Sequence, residues 1–391
     1  SQLPEKQALT AEMLRLTFPY LLLISMTAFA GSILNSYDRF AVPAFTPVLL
    51  NLSLIGSAIW LTPMMAEPVM ALAWGVLIAG SVQLLFQIPF LARIGLLPRP
   101  KVGWKDEGVR RIMKLMAPAL FGVSVSQINL LLDTVLASFL ISGSVSWLYY
   151  SDRLVELPLG VFAIAIATVI LPSLSTKHAE KSQQGFAKTL DWSMRMVLLI
   201  AVPAAVALIV LAEPLLFTLF QYGAMTVHDV DMAAMSLRAY AVGLIAFMLI
   251  KVLAPGYYAR QDTTTPVKIG IKAMVANMVF NLSLVFWLEH AGLALATSLS
   301  AFLNAGLLWY GLKKTGVFVW QAGWWKYLLQ LILSTGLMLV LLLQLNPTLA
   351  EWATVDWLQR AIWMAILVAF GGVGYVAMLI LTGLKPRDLR H

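Results

Sequence analysis

Eleven apolar stretches, each long enough to cross a bilayer as a helix, run through this chain, and lysine and arginine collect in every second gap between them. The stretches lie near 12–35, 43–62, 68–92, 108–140, 145–174, 191–220, 233–258, 266–288, 291–312, 325–345 and 357–383. A hydrocarbon core of about 30 Å takes roughly 20 apolar residues in helical form. The gaps 62–68, 141–145, 221–232, 288–291 and 345–357 contain no Lys or Arg. The alternate positions hold Arg39; then Arg93, Arg99, Lys101 and Lys105; then Lys177, Lys181 and Lys188; then Arg260; then Lys313 and Lys314; and finally Lys385, Arg387 and Arg390. Cationic loops stay cytoplasmic, so the pattern predicts an all-α, polytopic membrane protein with its C-terminus inside.

Eleven crossings that end inside place residue 1 outside. The opening SQLPEKQALT holds no apolar run of the kind a secretory signal needs. An odd number of helices upstream of Ser1 is the expectation that reconciles the two.

The composition narrows the class. Sixty per cent of residues are hydrophobic, against the 45–50% or so of soluble domains, and the mean hydropathy is +0.83. The net charge of +8 is spread over the inward gaps instead of forming one stripe, so orientation explains it and nucleic acid is not an expected partner. The absence of cysteine removes disulfides, thiolate catalysis and thiolate metal sites. The four histidines, His178, His228, His290 and His391, fall in expected loops or at the terminus, and none has a metal-ligand spacing such as H-E-x-x-H. No P-loop occurs. Gly371, Gly372 and Gly374 lie inside an apolar span, where close helix packing is the expected role. No nucleophile–base–metal constellation points to an enzyme, and no cofactor is implied.

The segment 94–107, IGLLPRPKVGWKDE, concentrates proline and charge and reads as a cytoplasmic linker. A second seam, 313–326, precedes the last two stretches. There is also an internal echo. Tyr37-Asp38-Arg39, Pro43 and Asn51-Leu52-Ser53-Leu54 match Tyr258-Ala259-Arg260, Pro266 and Asn281-Leu282-Ser283-Leu284. The matched crossings are six apart and share orientation, as in a parallel six-helix repeat. The expected organisation is therefore 1–93, the last three helices of a first lobe; 94–107, the linker; 108–314, a six-helix second lobe; and 315–391, a C-terminal pair. Three upstream helices would complete the first lobe.

Ionisable groups at membrane depth are expensive and mark candidate sites. Tyr149-Tyr150-Ser151-Asp152-Arg153-Leu154-Val155-Glu156 puts Asp152 and Glu156 at i,i+4, and Arg153 and Glu156 at i,i+3, on one helix face. Two readings stay open: a self-neutralising packing bridge, or a cavity cluster in which the planar fork of Arg153 meets an anionic substrate. Asp133 sits among leucines. Asn277, Asn281 and Thr297 offer neutral oxygens that would make a monovalent cation site with it, against a protonation site or a plain interhelical hydrogen bond. Lys251 either snorkels or contacts phosphate. Snorkelling is the expected role of Arg238 and Arg360. Prolines 19, 43, 118, 158, 172, 203 and 255 within or beside the crossings are candidate kinks.

These residues also carry a resemblance. The runs Gly122-Val123-Ser124-Val125-Ser126-Gln127-Ile128-Asn129, Gly143-Ser144-Val145-Ser146-Trp147-Leu148-Tyr149-Tyr150-Ser151-Asp152-Arg153 and Lys251-Val252-Leu253-Ala254-Pro255-Gly256-Tyr257-Tyr258-Ala259-Arg260-Gln261-Asp262 resemble the MurJ (MviN) family. Thr17-Phe18-Pro19-Tyr20 and Pro43-Ala44-Phe45 are similar to it as well. The resemblance runs from end to end of the chain. It implies a lipid II flippase of the bacterial inner membrane, in the multidrug/oligosaccharidyl-lipid/polysaccharide exporter superfamily, with two six-helix lobes and a C-terminal pair. It further implies that Ser146, Asp152, Arg153 and Glu156 line the central cavity of the second lobe, with Lys251 as a companion. The family's first three helices, with several cavity arginines, have no counterpart in this sequence. The implied mechanism is alternating access, with lipid II as substrate, membrane lipid as surroundings, and Na+, H+ or membrane potential as driving force. The implied place of the undecaprenyl tail is a groove on the C-terminal pair.

The alternative readings are a drug/cation antiporter or polysaccharide-precursor flippase of the same superfamily, or a non-transporting membrane scaffold. The charge alternation itself yields a test. Single cysteines at Gly143 and Gly223 should be labelled by a membrane-impermeant thiol reagent in intact cells, and those at Ser182 and Thr315 should be protected. Labelling at Ser182 from outside would reverse the orientation.

Overall fold

The structure is a computed structural model that describes residues 3–97 and 106–384, with the side chains of 3–6, 114–115, 117–126, 164 and 168 outside the description. The expected loop cations Arg99, Lys101, Lys105, Lys385, Arg387 and Arg390, and His391, lie outside the described residues, as does the side chain of Pro118. Among the described residues every regular element is helical. The chain divides into two compact units, Ser1–Arg110 and Arg111–His391.

In the first unit, α1 (Leu3–Thr17) stops at Phe18-Pro19, and α2 (Tyr20–Ser36) continues the same apolar stretch. Proline lacks the amide that would close the preceding turn, which explains the break. The helix α3 (Ala41–Gly56) passes into a π-helical turn, Ser57–Leu61, and a 3-10 turn, Thr62–Met64. The helix α4 (Met70–Arg93) packs against both α2 and α3. Two glutamines one turn apart on α4 make the interhelical bonds. Gln83 Nε2 donates to the Thr46 carbonyl at 2.9 Å, and Gln87 Nε2 to the Thr27 carbonyl at 3.3 Å. In hydrocarbon, helices attract one another by close packing and such bonds, since lipid is as apolar as leucine.

The second unit begins with α5 (Glu107–Ser138), whose first residues belong to the other unit. The stretch expected at 145–174 is α6 (Ser144–Pro158), a π-helical turn (Leu159–Ala163) and α7 (Ile164–Ala179). The π turn follows Pro158 directly, where the missing amide widens the hydrogen-bond ladder. Next come α8 (Gln183–Val210), α9 (Ala212–Leu219) and α10 (Val227–Tyr258), the last opened by a capping box of Thr226 and Asp229. The helix α10 is the hub, packed by α6, α7, α8, α9 and α11. Its neighbours dock through small residues: Ser151 Oγ donates to the Ala233 carbonyl and Ser298 Oγ to the Ala239 carbonyl, both at 2.7 Å.

The element α11 (Thr264–Lys314) spans 51 residues but bends at Glu289, where φ is 49° and ψ is −128°. The C-terminal region holds α12 (Trp324–Leu345), a short α13 (Leu349–Thr354) and α14 (Trp357–Leu381). The gap 345–357 was expected to be loop. It instead forms α13, because Thr348 and Glu351 make a reciprocal capping box. Two of the three glycines of α14 serve packing: Gly371 lies tightly against Met338 and Leu342 of α12 and Gly374 against Leu341, where a Cβ would crowd or collide, whereas a Cβ at Gly372 would meet open space.

The structure departs from the sequence pattern at His290 and at the two outer arginines. His290 is not in a solvated loop. It is 2% exposed, just past the bend, with Nε2 2.9 Å from the Met232 carbonyl and its ring against Trp147. Neither outer arginine simply snorkels. Arg238 pairs with Glu213 and donates to the Ile209 carbonyl at 3.2 Å. Arg360 is 5% exposed and donates to the carbonyls of Trp352, Phe217, Gln221 and Ala353 at 3.0–3.4 Å. The Phe217 and Gln221 carbonyls lie at the C-terminal end of α9, where the helix leaves acceptors unpaired and its dipole favours a cation. One guanidinium thus joins α9, α13 and α14.

Asp191, in the first half of α8, makes a second junction of this kind. It accepts from Arg195 Nε at 2.9 Å, Trp324 Nε1 at 2.6 Å and the Gln321 amide at 3.3 Å, which fastens the C-terminal pair to α8.

Arg360→Leu should leave several buried carbonyls without donors and lower stability by about 2–3 kcal/mol. Thermal unfolding of the detergent-solubilised protein is the check. An unchanged transition would mean that the guanidinium contributes no net stability.

Candidate functional site

Two polar groups interrupt the apolar surfaces of the second unit. The first is on α6. Its N-terminus is set by Gly143, which takes φ 108°, a conformation that costs glycine little. From Ser144 the helix carries Asp152 along its axis by eight residues, roughly 12 Å at 1.5 Å each. Arg153 and Glu156 meet at 2.6 Å, and both side chains are 51% exposed. The Arg153 guanidinium also lies 5.0 Å from the centre of the Tyr149 ring. Asp152 is half-buried on the neighbouring face, and Ser146 is exposed. Lys251 on α10 is exposed and makes no ion pair among the described residues. The structure therefore brings Arg153 and Glu156 together. It gives no direct bond from this pair to Ser146 or Lys251.

An ion pair this exposed contributes at most about 1 kcal/mol to stability. Its bond to Glu156 uses one of the five guanidinium N–H donors. Such an arrangement can receive a planar or tetrahedral oxyanion without first breaking a buried bridge.

The second group joins α5 to both halves of α11. Asn281 Nδ2 donates to Asp133 Oδ1 at 2.6 Å and to Asn277 Oδ1 at 2.9 Å. Asn277 Nδ2 lies 3.3 Å from Thr297 Oγ1 and 3.4 Å from Ser300 Oγ. Asn277 and Asn281 are buried at 1% and 0% exposure, and Asn281 Oδ1 has no hydrogen-bond partner among the described residues. A cavity of about 520 Å³ reaches Asn277 and Thr297, and also touches Asn129, Ser300 and Asn304. All four residues singled out in the sequence, Asp133, Asn277, Asn281 and Thr297, thus fall into one network.

Sequence reasoning missed several members. Asn129 sits one turn before Asp133, with its Nδ2 3.5 Å from Oδ2, and the i,i+4 spacing was the available signal. Tyr149 stands four residues before Arg153, again at helical spacing. Ser300 and Asn304 fall one and two turns after Thr297. Tyr240 of α10 lies within electrostatic reach of both Asp152 and Asp133, and no local pattern marks it.

The fold and these two sites define a polytopic helical membrane protein with polar groups held among its helices. Nine helices among the described residues are long and apolar enough to cross a membrane. A family model described as "Lipid II flippase MurJ" matches residues 1–362. A probable lipid II flippase MurJ of Vibrio cholerae is 51% identical over 385 residues, covering 98% of this chain and 73% of the relative. A probable lipid II flippase MurJ of Haemophilus influenzae is 50% identical over 383 residues, covering 96% and 75%. A solved lipid II flippase MurJ in an inward closed conformation superposes with a TM-score of 0.80 at 25% identity, covering 98% of this chain and 76% of that one. The chain belongs to the MurJ family of lipid II flippases.

Proposed function

We propose that this chain moves lipid II, the undecaprenyl-diphosphate-linked peptidoglycan precursor, from the cytoplasmic to the periplasmic leaflet of the bacterial inner membrane. The family match across residues 1–362 carries this reading, with half of all positions identical to the Vibrio cholerae relative over nearly the whole chain. It is a multi-pass transporter of the inner membrane and does no covalent chemistry.

Within that function we assign Arg153 to the diphosphate, with Asp152, Glu156 and Ser146 lining the path and Lys251 as a second cation. The half-exposed Arg153–Glu156 pair supports this, since most guanidinium donors are uncommitted and a bidentate fork suits phosphate oxygens. We assign Asp133, Asn277, Asn281 and Thr297 to a monovalent cation that couples to transport. All four present hard oxygens, and the buried, unpartnered Asn281 Oδ1 fits a missing electropositive partner. The transport cycle on this reading is alternating access.

The finer topology is also a proposal. Residues 1–93 are the last three helices of a first lobe, 94–107 a linker, 108–314 a six-helix lobe and 315–391 a C-terminal pair, giving eleven crossings with a cytoplasmic C-terminus. The bend at Glu289 supports counting α11 twice, and the 32 residues of α5 support one crossing more than the nine. The undecaprenyl tail is assigned to the C-terminal pair, whose surface exposes Ile332, Leu343, Phe370 and Val373.

Two measurements test these assignments. Arg153→Ala in a full-length context should abolish lipid II translocation, read by headgroup accessibility in cells, while shifting stability by less than about 1 kcal/mol. Arg153→Lys should keep part of the activity, and neutralising Arg153 and Glu156 together should stay inactive. Recovery in the double variant would return the pair to a packing role. Sodium chloride, compared with choline chloride, should raise the unfolding temperature of the wild type and not of Asp133→Asn. Equal shifts in both would remove the cation from this network.

A further inference from the structure

We propose that the basic loops at one end of the second unit form a pocket for the phosphate of an anionic membrane lipid, separate from the transport sites. The α7–α8 connection, the turn after α10 and the turn after α11 converge there on a cavity of about 400 Å³. Its cationic lining comes from Lys177, Lys181 and Arg260, and Phe186 and Val317 supply apolar lining.

Orientation of the helices accounts for cations in these loops, but by number alone. It does not require that side chains from separate connections line one concavity. The backbone at Lys181 is a second sign. The end of α7 closes as a Schellman motif, with the Lys181 amide on the His178 carbonyl and the Ser182 amide on the Lys177 carbonyl, both at 3.0 Å. Lys181 occupies its left-handed position with φ 54°, a place that glycine fills without steric cost. A lysine kept there against backbone preference points to a use for its charge.

The charge balance agrees. Glu180 takes Lys177 at 3.0 Å. Asp262, close to Arg260, accepts the Thr265 amide at 2.9 Å, and these bonds hold its carboxyl below the usual range. Lys181 has no ion pair among the described residues. The helix α8 opens onto the same cavity at Ser182 and Gln183. The Ser182 hydroxyl accepts the Gly185 amide at 3.2 Å, so the amides of Gln183 and Gln184, which have no acceptor inside the helix, remain for an anion.

The lipid source follows from the surroundings. The segment running on from Val317 to α12 exposes Val319 and Trp320, and exposed tryptophan beside a membrane helix marks headgroup depth. Basic clusters at that depth attract anionic lipids. The apolar lining leaves room for the glycerol end of the ligand, which a free phosphate would not need.

The test uses the full chain in neutral detergent, titrated with a short-chain phosphatidylglycerol, the matching phosphatidylcholine, and inorganic phosphate, with bound lipid read by native mass spectrometry. The phosphatidylglycerol should bind at least tenfold more tightly than the phosphatidylcholine. Lys181→Gln with Arg260→Gln should weaken it roughly tenfold, the scale of one charge-assisted contact. Lys188→Gln, on the same side but outside the lining, should bind as wild type. Lys181→Gly gives an independent arm, because it relieves the backbone and removes the charge together. It should unfold at a higher temperature than wild type and still bind phosphatidylglycerol less well. Equal binding of the two lipids, no loss in the pocket variants, or an equal loss in Lys188→Gln would overturn the proposal. Displacement by inorganic phosphate at micromolar concentration would overturn the lipid assignment in favour of the free ion.

Discussion

Hydrocarbon offers a polar atom nothing to bond to, and the arrangement of this protein follows from that shortage. Helices satisfy their own backbones, so what remains is the backbone at helix ends and the few polar side chains among the helices. Much of this is met by setting side-chain donors on backbone carbonyls of neighbouring helices, at a helix end in one case and inside a helix in the others. Arg360 closes the end of α9 and reaches α13 from α14. Gln83 and Gln87 reach carbonyls of α3 and α2 from α4. Tyr327 and Tyr375 each donate to a carbonyl of α8, at Arg195 and Leu199. Each of these donor bonds is a registration mark between two helices.

The two candidate sites use this economy in opposite ways. In the Asp133–Asn281–Asn277 chain both asparagines are buried and Asp133 is half-buried, with both amide nitrogens engaged and, among the described residues, one asparagine oxygen left over. Buried networks of this kind are costly when incomplete, which makes the spare oxygen informative. Arg153 and Glu156 are half-exposed, where water screens the charges and little stability is at stake. A charge held loosely in this way is free to change partners, as binding and release of an anion require. Tyr240, on the helix that packs against most of the second unit, lies within electrostatic reach of both Asp152 and Asp133.

Many large apolar side chains are exposed, as a lipid-facing surface requires. Phe286 and Trp287 are 82% and 86% exposed beside the bend at Glu289, and Trp325 is 81% exposed at the start of α12. In water such side chains would favour aggregation. At the borders of a bilayer, aromatic rings are the residues expected.

Much of this architecture was legible in the sequence, because hydropathy and charge act locally. Helical class, most crossings, the alternation of basic gaps and the break at Pro19 all follow from runs of neighbouring residues. The set Asp133, Asn277, Asn281 and Thr297 was also visible, since a carboxylate and amides at membrane depth stand out against leucine and valine. What the sequence by itself did not determine was pairing across helices. Arg360 looks like any interfacial arginine until α9 and α13 bring carbonyls to it. His290 looks like a loop residue until the bend at Glu289 carries it under Trp147. Asp191 finds Trp324 more than a hundred residues away. Lys181 and Arg260, each explained singly by orientation, share a cavity only because two helix connections end side by side. Helical spacing fixes which residues share a face. Only packing decides what that face meets.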